Sequence, residues 1–131
     1  MNIKIVLRYT DGRILKGSTY DFSPVRQRFH FGPINSSDDP IEVTMRELKA
    51  VFFVKDFEGN PSYKERKDFT EGDQTYGQKV EVTFADGERL VGTTTSYDLE
   101  RLGFFLFPVD QKSNNIRVFV VSTAVSNVRI L

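Results

Sequence analysis

The chain opens on a nearly regular alternation of apolar and polar positions, with Val6 the exception. In Ile3-Lys4-Ile5-Val6-Leu7-Arg8-Tyr9 the odd positions are apolar, and in Val80-Glu81-Val82-Thr83-Phe84 the even positions are. Period two with β-branched and aromatic residues predicts a half-buried strand. Each strand runs into an Asp-Gly pair, Asp11-Gly12 or Asp86-Gly87. Such a pair between alternating runs predicts a hairpin, here with a type I′ turn, whose two central residues need positive φ. Return strands follow over 13–22 and 88–97, each with a central glycine, Gly17 or Gly92. A glycine inside a strand marks a bulge, a bend or a close backbone approach. Short third strands, Phe29-His30-Phe31 and Phe104-Phe105-Leu106-Phe107, stop at Gly32-Pro33 and Pro108. Fourth strands are expected at 41–45 and 116–121, and fifth strands at 48–54 and 125–131. A 3.6-residue period is absent, apart from a turn or two of helix expected within 62–69.

This order occurs twice. Asp11 and Asp86 stand 75 residues apart, and the same spacing sets Lys4 on Lys79, Leu15 on Leu90, Gly17 on Gly92, Phe29 on Phe104 and Pro33 on Pro108. It also sets Ile41 on Ile116 and Val43 on Val118. After that a spacing of 77 sets Leu48 on Val125 and Val51 on Val128. The chain therefore divides into a first repeat over 1–57, a connecting segment over 58–77 and a second repeat over 78–131.

Two stretches break the alternation. Ala50-Val51-Phe52-Phe53-Val54 and Phe104-Phe105-Leu106-Phe107 are unbroken apolar runs. A strand buried on one face alternates, and a strand apolar at every position is buried on both. A barrel of some 55 residues has only one inside. The outward phenylalanines need cover from the sister repeat first, and from a partner or a second copy otherwise.

Composition narrows the chemistry. The 131 residues carry 18 Lys+Arg and 18 Asp+Glu, one His, no Cys and 12 Phe. The absence of Cys removes disulfides, thiol nucleophiles and thiolate metal sites. A single His rules out multi-His metal centres, so no metal and no cofactor are expected. Zero net charge argues against wholesale nucleic-acid binding. The first repeat is mildly basic, with Arg26 and Arg28 as its candidate anion contacts. No apolar stretch reaches membrane-span length and no leader is visible, so a cytoplasmic location off the membrane is expected. Asp38, Asp39 and Asp110 read as solvated loop charge. No nucleophile or acid–base set emerges, so catalysis is not expected. His30, Phe52 and Phe105 join Arg26 and Arg28 as candidate binding residues.

Val80, Val82, Phe84, Asp86-Gly87, Leu90 and Gly92, with Tyr97-Asp98 after them, resemble the first motif of Sm-like RNA-binding proteins. The resemblance implies a five-stranded barrel. Leu99-Glu100-Arg101-Leu102 stands where that motif has its Asn, and no basic-Gly turn separates the last two strands of either repeat, so RNA binding is not implied. Asp21-Phe22-Ser23 is similar to a segment of the PilZ domain, which binds a cyclic dinucleotide, but Arg26 replaces its glycine. Over nearly the full length the chain resembles a family of uncharacterised bacterial proteins. The segments carrying that likeness are Asp21-Phe22-Ser23-Pro24, Phe29 to Phe31, Leu48 to Phe57, Gly103 to Phe105 and Asn114 to Arg117.

The expected fold is all-β: two tandem five-stranded SH3/Sm-like small barrels packed together, or alternatively one fused β-sandwich. The expected function is a non-catalytic interaction or regulatory module that binds a protein partner, or a second copy, through sheet edges and aromatic surface. The alternative is an Sm-like nucleic-acid-binding protein.

Overall fold

A computed structural model describes residues 3–34, 39–59, 69, 77–110 and 112–131. Nearly all of the connecting segment, with its expected helical turn, lies outside the described residues, as does most of the loop before the fourth strand. The strands are β1 (Ile3–Tyr9), β2 (Ile14–Thr19), β3 (Arg28–Pro33), β4 (Ile41–Thr44), β5 (Leu48–Val54), β6 (Gln78–Phe84), β7 (Arg89–Thr94), β8 (Gly103–Pro108), β9 (Asn115–Val121) and β10 (Val125–Ile130). Single 3-10 turns, Met45–Glu47 and Ser122–Ala124, separate β4 from β5 and β9 from β10. The fold is all-β. Its strands form one open antiparallel sheet in the order β10-β6-β7-β8-β9-β5-β1-β2-β3-β4. No helix among the described residues is long and apolar enough to cross a membrane.

Both Asp-Gly hairpins form, but with a different turn. The Tyr9 N–H donates to Arg13 O at 2.9 Å and the Gly12 N–H to Tyr9 O at 3.1 Å. The Phe84, Glu88 and Gly87 groups repeat this at 2.8 and 2.9 Å. These are three-residue loops ending on a left-handed glycine, with φ of 96° at Gly12 and 93° at Gly87. They correct the expected two-residue type I′ turn. The aspartate stabilises the longer loop: Asp11 Oδ1 accepts from the Arg13 N–H, and Asp86 Oδ1 from the Glu88 N–H, both at 3.0 Å.

Gly17 and Gly92 mark close backbone approaches. A Cβ on Gly17 would lie 2.1 Å from Gly32 O, and one on Gly92 would lie 2.2 Å from Phe107 O. At these points β2 crosses onto β3, and β7 onto β8, with room for no side chain.

Within each half the strand order is the same, β5-β1-β2-β3-β4 and β10-β6-β7-β8-β9. Registers agree as well: Ile5 pairs with Phe53 and Val80 with Ile130, while Phe29 pairs with Val43 and Phe104 with Val120. By these pairings the spacing between halves is 75 through the third strand and already 77 at the fourth. Ile41 therefore corresponds to Val118 and Val43 to Val120, which corrects the sequence alignment. The two extra residues enter before β9 and lengthen its start.

The halves meet where β5 pairs with β9, with Ala50 opposite Val120, Val51 opposite Phe119 and Phe52 opposite Val118. Two hydrophobic clusters lie on opposite faces of this joint. Val51, Phe53, Phe119 and Val121 join Ile5, Leu7, Phe29 and Phe31 in the first. Ala50, Phe52, Val54, Val118 and Val120 join Val80, Val82, Phe84 and Phe104 in the second. Successive side chains of a strand point to opposite faces, so β5 and β9 each supply both cores. The unbroken run at 50–54 follows directly, and its outward side chains are covered by the other half, as expected. Burying a phenylalanine contributes about 2–3 kcal/mol, so the joint is a principal source of stability.

Candidate functional site

The segment after β2 places the lone histidine. Asp21 Oδ1 accepts from the His30 backbone N–H at 2.8 Å, and Asp21 Oδ2 lies 2.7 Å from His30 Nδ1. The Thr19 hydroxyl donates to His30 O at 2.9 Å. Burial acts to raise the Asp21 carboxyl, and the His30 donors outweigh it, so the group is held below its ordinary value. Tyr20 lies parallel to the His30 ring at 6.4 Å. The Thr19 hydroxyl also lies 3.4 Å from Asp21 Oδ1. The geometry of the Asp21–His30 pair is that of a clasp holding β2 against β3, with His30 half-exposed at the surface.

Phe22, next to that clasp, turns inward. Its ring meets those of Phe29, Phe53 and Phe119 edge-on, each at 5.3 Å. Phe105 closes the group at 5.1 Å from Phe119, and the Arg117 guanidinium lies 4.5 Å from the Phe53 ring and 4.4 Å from Phe105. Phe52 is buried in the second core, with Arg8 over its ring at 5.0 Å. Two of the sequence candidates, Phe52 and Phe105, thus belong to the joint between the halves. Arg26 and Arg28 are exposed, and Arg28 lies 3.7 Å from Glu42. The structure does not gather these five residues into one site.

Residues outside those five candidates sit at the same joint. Lys49 is 7% exposed, and its Nζ lies 2.7 Å from Asp86 Oδ2 and in contact with Glu88 Oε1, both on the second hairpin. Hydrogen bonds from Lys49 and from the Glu88 N–H hold the Asp86 carboxyl below its ordinary value. Asn114 extends the β5–β9 ladder: its O accepts from the Lys55 N–H at 2.9 Å and its Nδ2 donates to Asp56 O at 2.9 Å. Asp110, read from sequence as solvated, is 8% exposed, and its Oδ1 accepts from the Lys112 N–H.

What remains open is surface. A cleft of about 310 Å³ lies between the halves, walled by Met45, Arg46, Leu99, Arg101 and Ser122, with Glu100 as its one carboxylate. The sheet also has two edges, β4 and β10, with no strand beyond them among the described residues. Ile41 on β4 and Ile130 on β10 are exposed.

The profile of a family of unknown function, DUF6982, matches residues 1–131. The chain belongs to the DUF6982 family. No curated protein and no solved structure matches it. In this DUF6982 member the segments that stood out in the sequence gather at one place. Phe22, Phe53, Phe105, Asn114 and Arg117 all build the joint between halves or pack against it.

Proposed function

We propose that the chain is a non-catalytic cytoplasmic interaction module, built from two copies of a five-stranded SH3- or Sm-like unit, that binds a protein partner through its free sheet edges. The repeated strand order, the matched registers and the 3-10 turn before each fifth strand support the two-copy reading. The observation that carries the function is the pair of edge strands β4 and β10. An edge presents a row of backbone donors and acceptors that an added strand satisfies. Phe52 and Phe105, expected at the surface, serve the joint instead, and Phe107, in the same run as Phe105, stays exposed and adds to the edges as contact surface.

The test is capture from the source cell with tagged chain. Wild type is compared with Ile130→Pro and Glu42→Pro, which each remove an edge-facing N–H. A captured protein lost with either variant supports edge binding. Capture indifferent to both variants counts against it.

A further inference from the structure

A sheet edge selects its partner through the side chains beside the ladder, not through the ladder alone. The β5–β9 joint supplies the template, because β10 holds in its half the place β5 holds in the other. The Leu131 N–H donates to Lys79 O at 2.8 Å. Backbone groups alternate sides along a strand, so Asn127, Arg129 and Leu131 turn theirs to β6 while Val128 and Ile130 turn theirs to the free edge. An added strand bonds to these two residues.

The same alternation sets the faces. Val128 packs on the second core, and Ile130, 52% exposed, shares its face. Asn127 and Arg129 point the other way. There Arg129 lies 3.3 Å from Glu81 Oε2, which also takes Arg89 at 3.8 Å. Among the described residues two guanidiniums share this one carboxylate, so the face beside the edge carries an excess of positive charge.

The other edge carries the wrong side chains for this site. The Met45 N–H donates to Gln27 O at 2.7 Å, so Ile41 and Val43 turn their backbone groups to β3, and Glu42 and Thr44 turn theirs to the free edge. Edge-facing residues must meet edge-facing residues. In every antiparallel register Glu42 would then oppose an edge-facing residue of β10, Val128 or Ile130 in the overlapping ones, and its carboxylate would lie over the second core. Burying this carboxylate, which has only the exposed Arg28 at 3.7 Å for a partner, opposes such pairing.

We infer that β10 takes an extended segment of another protein that alternates apolar and acidic side chains. The apolar side chains lie opposite Val128 and Ile130, the acidic ones flank Arg129, and β4 of a second copy is excluded. The inference rests on the edge-binding reading above and names its partner.

The test uses two end-capped, fluorescein-labelled nonapeptides, one alternating Val with Glu and one alternating Val with Lys. Each is titrated with the full chain and followed by fluorescence anisotropy. The Glu peptide should bind at least about tenfold more tightly, a difference of one decade in affinity. Arg129→Glu, used only if it keeps a cooperative thermal transition because it also breaks the pair with Glu81, should reverse the preference. Ile130→Pro should abolish binding while keeping the wild-type thermal transition. Equal affinities, preference for the Lys peptide, or no binding by either overturns the inference. If neither peptide binds while cellular capture still depends on Ile130, edge binding stands and the acidic alternating partner falls.

Discussion

Four side chains separate the free edges from the internal joint. At the joint, the positions facing the neighbouring half are Ala50, Phe52, Phe119 and Val121, none more than 5% exposed. Their counterparts by register are Asn127 and Arg129 on β10, and Glu42 and Thr44 on β4. A variant carrying Glu42→Phe, Thr44→Val, Asn127→Ala and Arg129→Phe gives both edges the side chains of the joint. Transfer of two phenylalanines and a valine from water into the new contact contributes roughly 5–6 kcal/mol. The substitutions also remove the cost of desolvating the Glu42 carboxylate and its Arg28 partner, several kcal/mol per ion. At 1.4 kcal/mol per decade, the burial term alone strengthens association roughly ten-thousandfold. β10 of one chain would join β4 of the next, leaving the opposite edges free, so the contact is head-to-tail and growth continues until a ring closes. Sedimentation velocity from micromolar to submillimolar concentration should show wild type as one 15.1 kDa species and the variant as a concentration-dependent ladder. A variant that keeps the wild-type thermal transition and stays monomeric throughout refutes the argument. So does a wild type that assembles through the same edges.

Four further outcomes follow from contacts within the fold. Gly17→Ala and Gly92→Ala each force a methyl onto a carbonyl oxygen, at 2.1 and 2.2 Å, and should each cost about 3 kcal/mol or more in urea unfolding. Lys49→Met should cost about 1–2 kcal/mol, at the low end for a broken buried pair because Asp86 and Glu88 stay solvated. The Asp86 carboxyl is depressed in the fold, so its contribution is full above the unfolded value, near 4, and is lost as pH falls through the folded value. Chemical denaturation between neutral and acid pH should therefore show a shallower acid loss in Asp86→Asn than in wild type. Asp21→Ala removes the acceptor of the His30 backbone and ring, and should lower the midpoint of thermal unfolding by several degrees.

The local part of this architecture was legible because it depends on neighbours in sequence. The alternation at 3–9 and 80–84 set the first strand of each half, and Asp-Gly set the hairpins. The turn type was misread because a glycine at positive φ closes a two-residue loop or a three-residue one, and only the backbone pairing decides. The unbroken run at 50–54 announced a strand buried on both faces, though not which strand would lie beside it. Lys49 sits inside that buried strand, and its role was invisible because both its carboxylates come from the hairpin of the other half. Phe52 and Phe105 were taken as surface candidates for the same reason: their covers, Arg8 and Arg117, are remote in sequence.

The misplaced alignment shift has a further physical consequence. A slip of two residues preserves the period of a strand, so Ile41 matched Ile116 as well as it matches Val118, and no pattern could locate the insertion. The pairing locates it before β9. There it adds the turn of chain that sets Asn115 against Val54 and Arg117 against Phe53. β4 lacks those residues and begins just after Pro40, which has no N–H to donate. One fourth strand is thus long and apolar on both faces, and the other is short and charged on its outer face. The fifth strands differ in the same sense, β5 buried at every position and β10 carrying Asn127 and Arg129. The long apolar pair is spent inside the chain. The pair left over has the same phase but the wrong side chains, Glu42 and Thr44 against Phe119 and Val121, and Asn127 and Arg129 against Ala50 and Phe52, so nothing like the internal joint forms at the outer edges.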